Sequence, residues 1–92
     1  MRLESLKEKY WRIYEEEGPI ELEAFLRQIK EGRHGAVSVR EINDFLDEML
    51  QTMLSNIQLK ASESPAFEAM RPEVEQRTEE EIARLKARYG SA

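Results

Sequence analysis

Residues 38–60 read SVREINDFLDEMLQTMLSNIQLK, and this stretch decides the fold. Ser38, followed three residues later by Glu41, forms a capping box, which begins a helix by satisfying two free backbone N–H groups. Eight apolar residues then recur at helical spacing and cover an arc of about 180°, wider than a one-sided surface helix needs. They are Ile42, Phe45, Leu46, Met49, Leu50, Met53, Leu54 and Ile57. The sequence therefore predicts a long central hub helix with neighbours on two sides, and with Leu46 and Met53 buried.

Two shorter helices are predicted before the hub helix. The first runs from about Leu3 to Glu17, and its apolar stripe has the 3-4-3 spacing of a short coiled-coil seam. Gly18 and Pro19 end it, because glycine permits a C-terminal turn and proline cannot continue the hydrogen-bond ladder. Pro19 is then expected to open a second helix that ends near Glu31.

The chain after the hub helix is harder to divide. Residues 61–64 form its most linker-like segment, and Pro72 predicts a break because proline interrupts a helix. Apolar residues nevertheless keep one helical phase across Pro72. We expect a short helical turn and then a main helix from about Pro72 to Tyr89, with Thr78 as an alternative point for the break. The predicted fold class is all-α, a small bundle of four main helices in a single domain over residues 1–92.

Composition narrows the classes of partner and compartment. Lys and Arg number 14 against 19 Asp and Glu, and the net charge of −5 does not favour a phosphate backbone as partner. The chain has no cysteine, which fits a reducing cytoplasm and leaves no thiolate for metal binding or catalysis. The start has no apolar run of the signal-peptide type, and no run approaches membrane-spanning length. We therefore expect a cytoplasmic protein that binds neither nucleic acid nor membrane.

The loop before the hub helix resembles the calcium loop of EF-hand proteins. A twelve-residue loop that ends at Glu41 starts at Lys30 and has Gly35 at position six, where that family has glycine. Gly32 and His34, however, occupy positions three and five, and with Lys30 at position one they replace three oxygen ligands. The resemblance implies a degenerate EF-hand-like helix-loop-helix sensor or binding module without calcium binding. The alternative is an ordinary glycine turn before a capped helix.

No constellation of catalytic or ligand-binding residues is found in the sequence. His34 is the only histidine, and neither a paired nucleophile nor a His-x-x-x-His spacing accompanies it. Three acidic residues, Glu15 to Glu17, lie at the end of helix one, where the helix dipole disfavours them, so they are expected to meet a basic partner. We predict that the protein is not an enzyme and that it has no catalytic, cofactor-binding or metal-binding residues and no cofactor.

Four residues are candidates for a protein interface: Trp11, Tyr14, Met49 and Met53. Core packing is the alternative for Met49 and Met53, and Trp11, at the edge of the helix-one stripe, fits core and interface equally well. Aromatic residues and methionine are enriched at interfaces, and methionine adapts to varied surfaces. The hub arc is also wider than the narrow stripes of its neighbours can cover, so a second subunit would cover the excess. The sequence thus predicts a small non-catalytic helical adaptor or regulator that binds another protein and forms a homodimer through helix one, the hub helix or both.

Overall fold

The structure, a computed structural model, describes residues 4–91. This part of the chain contains four α-helices and no strand, which confirms the predicted all-α bundle of four main helices. The helices are α1 (Leu6–Glu17), α2 (Leu22–Lys30), α3 (Val39–Glu63) and α4 (Pro65–Tyr89). Helix α3 is the predicted hub helix, and both α3 and α4 have 25 residues.

Capping boxes begin two of the helices. At α3, the Ser38 hydroxyl accepts from the Glu41 N–H at 3.1 Å and the Glu41 carboxylate accepts from the Ser38 N–H at 3.2 Å, as predicted. Ser5 and Glu8 form the same pair of hydrogen bonds at α1. This second box, which was not predicted, fixes the beginning of α1 at Leu6. The predicted start at Leu3 lies outside the described residues.

Helix α2 begins at Leu22, so the prediction that Pro19 opens it is wrong. Gly18 has a φ of +104°, and the residues that follow it remain outside any helix. Ile20 packs against the core, and its carbonyl accepts a hydrogen bond of 2.8 Å from the Tyr10 hydroxyl. Because this bond to α1 holds Ile20 in the connection, the helix starts two residues later.

The predicted linker at residues 61–64 is also wrong. Helix α3 continues through Glu63, and only Ser64 separates it from α4. Ala61 is buried, and alanine has the highest helix propensity, so burial and local preference both extend α3. The Ser64 hydroxyl accepts from the Phe67 N–H at 3.2 Å and thereby caps α4.

Helix α4 runs without a break past Pro72, contrary to the predicted division there. Phe67 and Val74, on either side of the proline, are both partly buried, which indicates that packing keeps the chain helical across it. Thr78 does not cap a new helix either. Its hydroxyl donates to the Val74 carbonyl at 2.8 Å, one turn back in the same helix.

Helices α1, α2 and α4 surround the first half of α3. Tyr10 of α1, Phe25 of α2 and Phe45 of α3 form a mutual aromatic cluster with ring centroids 5.3–6.0 Å apart. On the other side, the Asn43 side chain donates to the Gly90 carbonyl at 2.8 Å, so that α4 ends beside the start of α3. Helix α3 therefore meets neighbours on more than one side, as its wide apolar arc predicts.

The core extends along α3 only to its middle. Leu46 is fully buried as predicted, whereas Met53 is only partly buried at the edge of the core. Farther along, Ile57 and Ala61 are buried outside the main cluster, where α3 and α4 pair with each other. We call residues 54–63 and 65–74 the distal hairpin. Its length gives the molecule its elongated extents of 44 × 29 × 22 Å.

Candidate interaction surfaces

Two of the predicted interface residues form an aromatic patch on α1. The rings of Trp11 and Tyr14 lie 5.5 Å apart in an edge-on arrangement, and both contact the buried ring of Tyr10. Trp11 is 36% exposed and Tyr14 is 39% exposed. Large aromatic side chains that are partly exposed and pack on a buried ring are typical of binding surfaces.

The other two predicted residues lie elsewhere. Met49 is 2% exposed in the core, so it is inaccessible to a partner while the four helices are packed. Met53 lines an open groove of about 460 Å³ between the beginning of α2 and the middle of α3 and α4. We call this the α2–α4 groove. The four residues therefore do not form one surface, because Met49 and Met53 lie on a different part of the molecule from the aromatic patch.

The α2–α4 groove has an apolar floor and charged edges. Leu22, Met53, Val74, Ile82 and Leu85 form its apolar lining. Glu21, Glu23, Arg77 and Glu81 lie along its edges. A mostly apolar cleft with a few polar groups at its rim has the character of a recognition site for an apolar side chain.

Two further exposed apolar residues were not predicted as interface residues. Leu59 is 60% exposed and Met70 is 54% exposed, and both belong to the distal hairpin. Leu59 lies off the apolar arc of the hub helix, so its exposure could have been found from the sequence. Met70 shares the helical phase of buried residues in α4, and only the absence of α1 and α2 from this end exposes it.

Glu23 at the edge of the groove connects α2 to the end of α4. Its carboxylate accepts from Arg84 at 3.1 Å and from the Tyr89 hydroxyl at 3.0 Å, and Arg88 approaches at 3.4 Å. Arg84, the Tyr89 hydroxyl and Arg88 together hold the pKa of Glu23 below its ordinary value of 4.5. Arg84 also pairs with Glu81 at 2.6 Å, one turn away in α4. Arg84 and Arg88, at the basic end of α4, thus form ion pairs within the chain.

We expect Glu23→Gln to reduce stability above about pH 4.5 and to have less effect in acid. A carboxylate whose pKa is lower in the folded state stabilises the fold above its unfolded pKa, and this contribution is lost as the pH falls through the folded value. Unfolding free energies measured from pH 7 to pH 3 should therefore converge for wild type and variant. Glu79→Gln, at an exposed residue, is the control. If the difference in unfolding free energy between wild type and Glu23→Gln stays constant from pH 7 to pH 3, the ionised Glu23 carboxylate is not the source of that stability.

The EF-hand-like loop gives its candidate ligands other partners. His34 Nε2 lies 3.0 Å from Gln28 Oε1, and its ring packs 4.9 Å from that of Phe25. Burial lowers the pKa of His34, and Lys9 and Arg12 add to the shift. The Glu41 carboxylate caps α3. Within residues 4–91, no three His, Asp or Glu side chains are grouped so that they could hold a metal ion.

Calcium at millimolar concentration is expected to leave the melting temperature unchanged. Lys30, Gly32 and His34 stand where an EF-hand loop supplies three oxygen ligands, and a lysine at the first position repels the cation. Thermal unfolding with calcium and with chelator measures the effect. A rise in melting temperature that Glu41→Gln abolishes would restore the EF-hand interpretation.

The architecture defines a small all-α bundle with an elongated α3–α4 hairpin, and comparison adds no family to this description. No protein-family model matches the chain, and no curated protein or solved structure shows significant similarity to it. None of the helices in the described part of the chain is long and apolar enough to cross a membrane.

Proposed function

We propose that the protein is a small non-catalytic adaptor or regulator of the cytoplasm that binds another protein and self-associates as a homodimer. The observation that carries this proposal is the apolar surface that the four helices leave open. It comprises the Trp11–Tyr14 patch, the α2–α4 groove and the exposed Met70. Uncovered apolar surface of this kind marks sites of protein association.

The aromatic patch is the better candidate for a foreign partner. Glu15 and Glu17 follow it at the end of α1, and both are exposed. Acidic side chains at a helix C-terminus face the negative end of the helix dipole. A basic segment would relieve this repulsion while an apolar residue packs on Trp11. The proposed partner therefore presents basic and apolar side chains together.

Affinity capture from cell extract with matched variants tests this proposal. Wild type is compared with Trp11→Ala/Tyr14→Ala, and Glu79→Ala serves as the exposed control on α4. We expect proteins captured by wild type and by Glu79→Ala to be lost with the aromatic double variant. Circular dichroism verifies that all three chains keep the same helix content.

Direct binding then checks each captured protein. Trp11 is the only tryptophan, so its emission reports on the patch itself. A partner that covers Trp11 should shift the emission to shorter wavelength, and high salt should weaken a complex held by basic residues. Identical captured proteins for wild type and the aromatic variant would remove the patch from the proposal.

A further inference from the structure

The molecule exposes more surface than a compact chain of its size. Its accessible area is 6429 Å², whereas a compact monomer of 10.8 kDa exposes about 5500 Å². The radius of gyration is 14.7 Å, against about 12 Å for a compact domain of this length. The excess of about 900 Å² is close to the roughly 800 Å² that each partner contributes to a standard protein interface. Association with one further chain of similar size would bury an area of this magnitude.

An apolar face extends from the α2–α4 groove along the distal hairpin. Met53 and Val74 line the α2–α4 groove, and Met70 lies one turn before Val74 on the same side of α4. Phe67, partly buried, continues this side toward the tip. We call Met53, Phe67, Met70 and Val74 the hairpin face. Its inner end is the groove, where α2 begins, and its outer end carries the exposed Met70.

The charge pattern of α3 favours a second copy as the occupant. Residues 49–59 contain no charged side chain, in a chain that is 36% charged and has a net charge of −5. In a two-fold symmetric dimer, the residues closest to the axis lie near the same residues of the other copy. Two acidic chains meet with least repulsion where that surface is uncharged, and depletion of charge is typical of interface centres.

One pair of charges is complementary across such an axis. Lys60 follows Met53 by seven residues, which places it on the same side of α3 and nearer the tip. Glu21 lies at the edge of the groove beside Met53, and its side chain does not cap α2. Neither Lys60 nor Glu21 forms an ion pair within residues 4–91. An antiparallel pairing brings the tip of each hairpin to the groove of the other, and so brings these opposite charges together.

We propose that a second copy of this chain packs antiparallel on the hairpin face, with Met70 of each copy in the α2–α4 groove of the other. Lys60 then lies beside the partner's Glu21, and the two hairpins form a four-helix contact around the two-fold axis. This inference rests on the self-association in the proposed function and identifies the surface responsible. It leaves the Trp11–Tyr14 patch open for the foreign partner.

Sedimentation equilibrium of the full chain measures the pairing. We expect a dimer at micromolar concentration and a dissociation constant that Met70→Glu raises by about 30-fold or more, as for a central interface residue. Leu59→Glu is the matched control, since Leu59 is at least as exposed as Met70 but lies about 120° around α3 from Met53. It should dimerise like wild type. Circular dichroism shows whether both variants keep the wild-type helix content.

Charge reversal tests the antiparallel arrangement. Lys60→Glu and Glu21→Lys should each weaken the dimer, because each brings like charges together. The double variant Lys60→Glu/Glu21→Lys restores an opposite pair and should recover the wild-type dissociation constant. If the double variant dimerises no more tightly than the single variants, the proposed antiparallel orientation is overturned.

The remaining outcomes separate this inference from the proposed function. A monomer at all concentrations removes self-association altogether. A dimer that survives Met70→Glu but dissociates with Leu59→Glu or Trp11→Ala keeps self-association and overturns the hairpin face as its surface. A dimer that survives all three variants likewise overturns the hairpin face.

Discussion

Replacing Leu46 with alanine is expected to lower the free energy of unfolding by about 2–5 kcal/mol. Leu46 is 0% exposed and lies in the part of α3 that α1, α2 and α4 surround. The substitution removes three buried carbon atoms and leaves a cavity that the neighbouring rings can fill only in part. Urea unfolding at a fixed protein concentration measures the loss, since stability of a self-associating chain depends on concentration.

The same substitution at Leu59 is the control. Leu59 is in the same helix, so Leu59→Ala makes the same chemical change, but its side chain is 60% exposed. An exposed substitution away from special features changes stability by about 0.5 kcal/mol or less. Similar unfolding midpoints for the two variants would contradict the placement of α3 in the core.

The hub helix could be predicted because its signals are local. The Ser38–Glu41 box and the apolar spacing after it specify where α3 begins and which side is buried. The same reasoning applies to Ser5 and Glu8, whose capping box begins α1. That box could have been found from the sequence, because Ser5 and Glu8 have the same Ser-x-x-Glu spacing as Ser38 and Glu41.

The connections depend on contacts between distant residues and were predicted less well. The hydrogen bond from Tyr10 to the Ile20 carbonyl delays the beginning of α2. No residue near Pro19 indicates that bond. Local composition predicts a linker at Ala61, but its burial between α3 and α4 keeps it helical. In both places tertiary packing outweighs local preference.

The candidate surfaces were only partly predictable for a similar reason. The periodicity of α3 identifies Met49 and Met53 as apolar-face residues, but it does not show how far along α3 the other helices extend. Because the core ends near Met53, one methionine is buried and the other lines a groove. Trp11 lies at the edge of the apolar stripe of helix one, where the sequence favours neither the core nor an interface. The structure exposes it in part.

Pro72 is a local defect that α4 tolerates. Proline has no N–H to donate to the carbonyl of Glu68, and its ring crowds that carbonyl. Arg71 spans the site with ion pairs to Glu68 at 3.0 Å and Glu75 at 3.8 Å. Such pairs contribute about 0.2–0.5 kcal/mol each, whereas proline costs about 3 kcal/mol relative to alanine inside a helix. Packing of α4 on α3 must supply most of the compensation.

Replacing Pro72 with alanine is therefore expected to raise the free energy of unfolding by about 1–2.5 kcal/mol. The gain falls short of the full helix penalty because alanine gives the unfolded chain more freedom than proline does. Pro65→Ala is the control, since Pro65 is the first residue of α4, where no hydrogen bond is lost and proline is favourable. Urea unfolding at equal protein concentration should show a gain for Pro72→Ala and none for Pro65→Ala. If neither variant gains stability, the backbone around Pro72 has relaxed enough to remove the penalty, and packing of the distal hairpin need not offset it.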